Sequence, residues 1–353
     1  MQSFGNLDRI IGRVPAEVVT RLRPVDIGQG SEALYRDQLP GLLESLAHRA
    51  RVASITASSA IEGVVVPDPV RAEAIVEGRP SALRTRSEQE LAGYRDAMDY
   101  LFRQDWRPLN VGLLLHLHRL LFAHTAADGG RFKIHDNLVV DRAADGTTTV
   151  RFRPVAAAQT DYYVHELVER YRVAVQDAAH HPVLLVGLFA LDLSIIHPFE
   201  DGNGRVTRAI TNALLADAGY TVVRYVSLEQ LIADSSETYY AALLESTHGW
   251  YEDAADPWPW LTYFVGVLAM AYRLFGGRVA AERTTGTKQD RVREYVLRQA
   301  PPVFRLSDIR AALPGISDPT IRLVLHQLRQ DGLVAADGVG RSAVWLRTEP
   351  VPG

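Results

Sequence analysis

Cysteine is absent from the 353 residues, so neither a disulfide nor a thiolate-ligated metal site can be built from this chain. Lysine is nearly absent as well. Of 38 Lys and Arg residues only Lys133 and Lys288 are lysines, and with the abundant Ala, Val and Gly this reads as a coding bias. Neither lysine follows a glycine and precedes Ser or Thr, which excludes a Walker A phosphate loop. The strongest apolar run, Val183 to Ile196, is too short to cross a bilayer and is interrupted by Asp192. The segment Met1 to Ile10 lacks the basic start and apolar stretch of a secretory signal, so the cytoplasm is the expected location and no membrane partner is expected. A net charge of −4 argues against a general polyanion binder. No internal repeat or low-complexity tract interrupts the chain.

What is present is a composition that supports a sizeable core. With 47% hydrophobic and 23% charged residues, the chain is long enough for two or three domains. Its most informative stretch is His197-Pro198-Phe199-Glu200-Asp201-Gly202-Asn203-Gly204-Arg205-Val206-Thr207-Arg208. His197 can take a proton near neutral pH. Asp201 offers the hard oxygen that Mg²⁺ prefers. Gly202 and Gly204 permit positive φ and a close approach of backbone N–H groups to an anion, and Arg205 and Arg208 can grip phosphate oxygens in pairs. Pro182 to Ile196 reads as a core helix that delivers His197, and Arg205 to Ala218 as a second helix, with Gly219 as its stop. The N-terminus of that second helix adds a positive dipole end to the loop.

This stretch resembles the signature of the Fic family, HxFx(D/E)GNGRxxR, at every specified position. The resemblance implies a mainly helical, all-α Fic fold with a small β-hairpin flap. It also implies a protein adenylyltransferase that moves AMP from ATP, with Mg²⁺, to a Ser, Thr or Tyr hydroxyl of a target protein, the enzyme itself included. In those terms His197 is the base and Asp201 the metal ligand. Asn203 and the Gly202 and Gly204 amides hold the α-phosphate, Arg205 the α/β region and Arg208 the γ-phosphate. Phe199 anchors the loop, while Glu200 falls at a variable position. Removal of AMP, another phosphate donor, or a DNA-binding regulator with a nucleotide-sensing Fic core are the alternatives.

A second segment, Ser58-Ser59-Ala60-Ile61-Glu62-Gly63, matches (S/T)xxxE(G/N) and resembles the inhibitory helix of Fic proteins. A helix that simply ends on Gly63 is the plain reading. Beside an intact Fic motif, Glu62 is expected to pair with Arg208 in place of the γ-phosphate, with Ser58 as part of the motif.

The remaining organisation follows from composition and periodicity. Residues 1 to about 30 are expected to be irregular, with Pro15 and Pro24, and a helix then leads to Glu62. Ser87 and Glu90 read as a capping box for a helix through about Arg103. Asn110 to His124 reads as helical. Leu138 to Val140 and Thr147 to Phe152 form a hairpin within 132–154, the flap by resemblance, and Lys133 there stands where many relatives carry arginine. Tyr239 and Tyr240 are candidate adenine contacts by the same resemblance. His116, His118, His180 and His181 read as core or surface imidazoles. The expected domains are 1–85, 86–282 and 288–349, the last a winged helix-turn-helix by resemblance, which either binds DNA or docks protein. Between Lys288 and Gly353 its ten cations and seven anions net only +3. Thr320, Arg322, His326, Gln327 and Arg329, with Arg341 on the wing, are the candidates for DNA. The sequence leaves a homodimer open.

Overall fold

The structure, a computed structural model, describes residues 2–79, 82–142, 148–252, 254–284, 287–313, 315–337 and 344–348. Two compact units emerge, Met1–Gly276 and Gly277–Gly353.

The first unit is built around the helix Pro182–Ile196, whose side chains are buried from Val183 through Leu193 and again at Ile195 and Ile196. A helix apolar on every face must be covered on every face. Two helices that pack on it are Ala157–Asp177 and Asn203–Asp217. Each fully buried Leu or Val here contributes roughly 1.5–3 kcal/mol. The strands Val139–Arg142 and Thr148–Phe152 pair antiparallel, with Val140 opposite Val150. This is the expected hairpin; its turn, from Ala143 to Thr147, lies outside the described residues.

Two local expectations fail. The first 30 residues are helical, as Gln2–Gly5, Leu7–Ile11 and the long helix Ala16–Gln38. Pro15 serves as the N-cap of that last helix and Pro24 is carried inside it. Val18, Leu22 and Val25 recur on one face and are buried, so tertiary burial outweighs the local penalty of Pro24. Glu32 on the same helix accepts the backbone N–H groups of Thr221 at 3.1 Å and Val222 at 2.9 Å. The second failure concerns Ser87 and Glu90. The helix is Arg86–Arg103, and its N-cap is Thr85, whose hydroxyl accepts the Glu88 N–H at 3.2 Å. Glu90 is one turn further on and is put to another use.

The helix Pro40–Ile61 buries Leu43, Leu46, Ala50, Ser54, Ala57 and Ser58 along one stripe. Gly63 at φ +75° ends it, with the Gly63 N–H on Ala60 O at 2.9 Å and the Val64 N–H on Ser59 O at 3.0 Å. That is a glycine-terminated end in which a left-handed residue satisfies the last carbonyls. It leaves Glu62 on the terminal turn.

Asp192 lies fully buried in the central helix. Its Oδ1 accepts Ser3 Oγ at 2.8 Å and Trp250 Nε1 at 2.9 Å, while Oδ2 has no hydrogen-bond partner among the described residues. Burial pushes this carboxyl up from 3.8 to about 6. Because the folded value is the raised one, its contribution to stability is complete below about pH 4 and is lost as the pH rises through 6. Denaturant unfolding of wild type and Asp192→Asn between pH 4 and 7 should show a downward slope in wild type that the variant lacks. Equal slopes would refute this.

The second unit contains the helices Lys288–Glu294, Leu306–Ala312 and Asp318–Gln330, with a turn of π-helix at Tyr295–Gln299. Its strands Val303–Arg305, Val334–Asp337 and Val344–Arg347 form an antiparallel sheet with the last strand in the middle. Val292, Val296, Phe304, Ile309, Ile321, Val324, Leu325 and Leu328 are its core. Thr287 caps its first helix through a reciprocal pair of hydrogen bonds with Asp290. At the start of the second helix Asp308 accepts the Arg305 N–H at 2.8 Å. Gly338 to Ala343, which include Arg341, and linker residues 285 and 286 lie outside the described residues. Among the described residues no helix is long and apolar enough to cross a membrane.

Candidate active site

The loop between the two central helices is held in place from three sides. His197 caps the helix Pro182–Ile196 in a left-handed conformation, φ 51° and ψ 61°, with its N–H on Leu193 O at 3.0 Å. For a side chain other than glycine this costs roughly 1–2 kcal/mol, so the neighbours must enforce it. Phe199 is buried and stacks on His118, with centroids 4.0 Å apart and planes 9° from parallel. His118 Nδ1 accepts the Gly130 N–H at 2.9 Å, which fixes the tautomer, and Nε2–H then donates to Asp201 O at 3.1 Å. Burial lowers His118 to about 4, so it stays a neutral clamp at ordinary pH. Nothing in the sequence separates this histidine from a plain core imidazole; only its reach to Asp201 does.

Asn203 closes the loop from within. Its Oδ1 accepts the Phe199 N–H at 2.8 Å and its Nδ2 donates to Phe199 O at 2.7 Å. Both ends of its amide are therefore engaged by the loop itself. Gly202, at φ +78°, is the N-cap of the helix Asn203–Asp217, and a Cβ there would meet Leu121 at 2.6 Å. The Asp201 carboxylate is exposed, accepts the Gly202 N–H at 2.6 Å, and has Arg205 at 3.6 Å and Arg86 at 3.7 Å.

Arg205 is buried, and its Nη1 donates to Glu90 Oε2 at 2.6 Å. The Glu90 carboxylate also accepts Arg86 Nε at 2.6 Å, while Arg205 Nε lacks a partner. Glu90 is a site residue that the capping-box reading concealed. Glu90→Ala should leave the buried Arg205 charge with only the exposed Asp201 carboxylate at 3.6 Å and cost about 3 kcal/mol. A denaturation midpoint close to that of wild type would refute this.

Arg208 is buried with three hydrogen bonds in place. Nε donates to Ser58 Oγ at 2.8 Å, and Nη2 to Ser58 O at 2.9 Å and Glu62 Oε1 at 2.8 Å. Burial alone would lower this guanidinium, yet Glu62 holds it above its ordinary value. Burial alone would raise Glu62, yet Arg208, followed by Arg205, holds it below the carboxylate range. The pair is therefore charged on both sides across neutral pH. A Cβ on Gly204 would run into the Glu62 carboxylate and stand 2.9 Å from Arg208 Nη1. Glu62 thus lies directly on the glycine backbone of the loop.

A cavity of about 510 Å³ opens beside these groups. It is lined by His197, Gly204, Arg208 and Glu62, by Leu138, Val140 and Phe152 of the hairpin segment, and by Tyr240, Leu243 and Thr247 of the helix Ser236–Thr247. Arg151 of the flap lies over the Tyr240 ring at 4.7 Å. Tyr239 also borders the cavity but is itself buried against Trp260 and Tyr263. Burial, then the charge of Lys133, lowers His197 to about 4, leaving a neutral imidazole at pH 7. A neutral base, the Gly204 backbone and Arg208 beside a ligand-sized cavity can receive a phosphate ester and a hydroxyl together. Glu200, at the variable position of the motif, is exposed and accepts the Ile134 N–H at 3.1 Å and the His135 N–H at 3.3 Å. In the second unit, Arg322, His326 and Arg329 are exposed on the helix Asp318–Gln330, with Thr320 and Gln327 half-buried.

Residues 108–215 match the Fic/DOC family. A protein adenylyltransferase Fic from Drosophila mojavensis is 30% identical over 137 residues, covering 38% of this chain and 25% of that protein. Its counterpart from Drosophila melanogaster is 28% identical over the same length, 38% of this chain and 26% of the relative. The chain therefore spans about a quarter of the length of the curated relatives it matches. Two crystal structures share the fold. A Fic family protein from Desulfovibrio desulfuricans superposes with a TM-score of 0.62 at 20% identity, over 96% of this chain and 98% of that one. A Fic domain containing signaling protein from Bacteroides thetaiotaomicron gives 0.58 at 19% identity, over 73% and 95%.

Proposed function

Because residues 108–215 of this chain are a Fic domain, we propose that the protein is a self-restrained adenylyltransferase that moves AMP from ATP to a Ser, Thr or Tyr hydroxyl of a cytoplasmic protein. The relatives named above carry that activity in their names. The observation that supports the restraint is the Glu62 carboxylate, seated on Gly204 and bonded to Arg208 at 2.8 Å. A triphosphate cannot share that place with a carboxylate.

In this reading the target hydroxyl gives its proton to His197 while its oxygen attacks the α-phosphorus, and the bond to the β-phosphate oxygen breaks to release pyrophosphate. The backbone amides from Asn203 to Arg205, at the positive end of a helix, receive the α-phosphate oxygens, the Gly202 N–H being held by the Asp201 carboxylate. Arg205 serves the α/β region, and Arg208, once freed, the γ-phosphate. Asn203 supports the loop through Phe199. Asp201 suits a divalent cation, since it is a hard, exposed oxygen donor whose arginine neighbours stand 3.6 and 3.7 Å away. Mg²⁺ bound there would neutralise phosphate charge. Tyr240 would lie along the base. The catalytic part is read as 86–282, with 1–85 restraining it. The second unit is read as a winged helix from its order of helices and strands; an experimental structure with another strand order would refute that.

Label supplied on the α-phosphate of ATP should appear on protein, and label on the γ-phosphate should not. Transfer of the γ label, or of neither by wild type and Glu62→Gly alike, would overturn the assignment.

A further inference from the structure

We propose that Lys133 is the positioning residue for His197, closing the end of the helix Pro182–Ile196 and keeping the imidazole uncharged against two facing carboxylates. The inference rests on reading His197 as the base.

Lys133 is buried, at 3% exposure, beside the one sharp turn of the site. Its Nζ donates to Ile196 O at 3.2 Å and Asn137 Oδ1 at 2.8 Å, and its backbone N–H donates to Pro198 O at 2.9 Å. Asn137 Nδ2 in turn donates to Phe199 O at 3.0 Å. The carbonyls on either side of His197, and the next one along, are therefore held by two side chains and one amide of a single short segment. The last carbonyls of a helix have no partner within the helix and carry its negative end, which favours a cation. A compact ammonium can enter there and donate in several directions, whereas a planar guanidinium needs a wider slot. The remaining Lys/Arg residues, apart from Lys288, are all arginines, so a lysine here stands out against the composition of the chain.

The second consequence is electrostatic. Of the groups that bear on His197, Lys133 opposes an imidazolium, while the Ser194 backbone carbonyl, then the charges of Glu62 and Asp201, favour one. Burial acts in the same direction as Lys133. Without the ammonium, burial alone opposes the two carboxylates, and the base is more readily protonated as the pH falls.

The imidazole of His197 can be followed by NMR titration of the full chain, its signal assigned by its loss in His197→Ala. Lys133→Met and Lys133→Gln should each raise its midpoint by about half a unit or more, with Gln also able to keep the contact to Ile196 O. Lys133→Arg, where it folds, should stay near wild type. In a Glu62→Gly background the acid limb of the rate profile should move up with the midpoint. There kcat should fall about two- to threefold near pH 4 and stay close to that of Glu62→Gly at pH 7, with KM for ATP within about twofold. A folded Met or Gln variant with an unchanged midpoint overturns the proposal, as does an Arg variant shifted as far as Met. Absence of AMP transfer by wild type and Glu62→Gly would sink the transferase reading alone, because the titration needs no turnover.

Discussion

Glu62→Gly should raise AMP transfer, self-modification included, by about 10- to 100-fold at pH 7. The estimate follows from what the substitution removes. A charge-assisted hydrogen bond to a buried arginine is worth about 1.5–3 kcal/mol, and each 1.4 kcal/mol is a factor of ten. Arg208 keeps its bonds to Ser58 at 2.8 and 2.9 Å, so it stays oriented while losing its competing anion. The gain should appear as tighter ATP binding and faster labelling together, since the carboxylate occupies space and ties up a ligand at once. Glu62→Gln is a useful control: it retains much of the bulk over Gly204 and loses the charge, and should fall between the two. Initial labelling rates across an ATP series decide it. A Glu62→Gly rate equal to wild type, with ATP affinity unchanged, would mean that the ion pair restrains nothing.

The second large effect is at His197. In the Glu62→Gly background, His197→Ala should lower transfer by about 10²–10⁴-fold, the usual contribution of a positioned base. ATP affinity should hold, since the imidazole is assigned to the hydroxyl and not to a phosphate. Alanine at φ 51° inherits the strain of this turn, so some loss could be blamed on folding. His197→Asn removes that ambiguity, because asparagine tolerates the left-handed region. It should be as inactive as alanine yet melt no lower than wild type. An asparagine variant retaining most of the activity would dismiss His197 as the base.

Not everything near the site was readable with the same ease. The motif from His197 to Arg208 was legible because its residue types are rare in combination and lie together in the chain. Glu62 was legible only as a pattern, and Gly63 ends the helix as the plain reading has it while placing the carboxylate over Gly204. Glu90 sat three residues after a serine and was mistaken for a capping partner. His118 and Lys133 offered almost no local signal: one is a histidine on an apolar helix, the other a lone lysine before the flap. Their importance comes from carbonyls of the motif loop, at Asp201 for one and Ile196 for the other, which lie 60 to 85 residues along the chain. The first 30 residues were misjudged for a related reason, since Pro24 speaks locally against a helix while burial of Val18, Leu22 and Val25 speaks for it.

The sequence by itself determined the chemistry available here: an imidazole, a carboxylate, two glycines and two arginines in one loop, with a helix apolar on all sides behind it. Those are short-range facts of residue type and period, and no partner is needed to read them. Tertiary structure decided what each group is doing. Arg208 is held by a glutamate 146 residues earlier and Arg205 by one 115 residues earlier, and His197 is turned and kept neutral by its burial and a lysine from another segment. Charges and buried donors are settled by whatever lies within a few ångströms, and chain order says little about that distance.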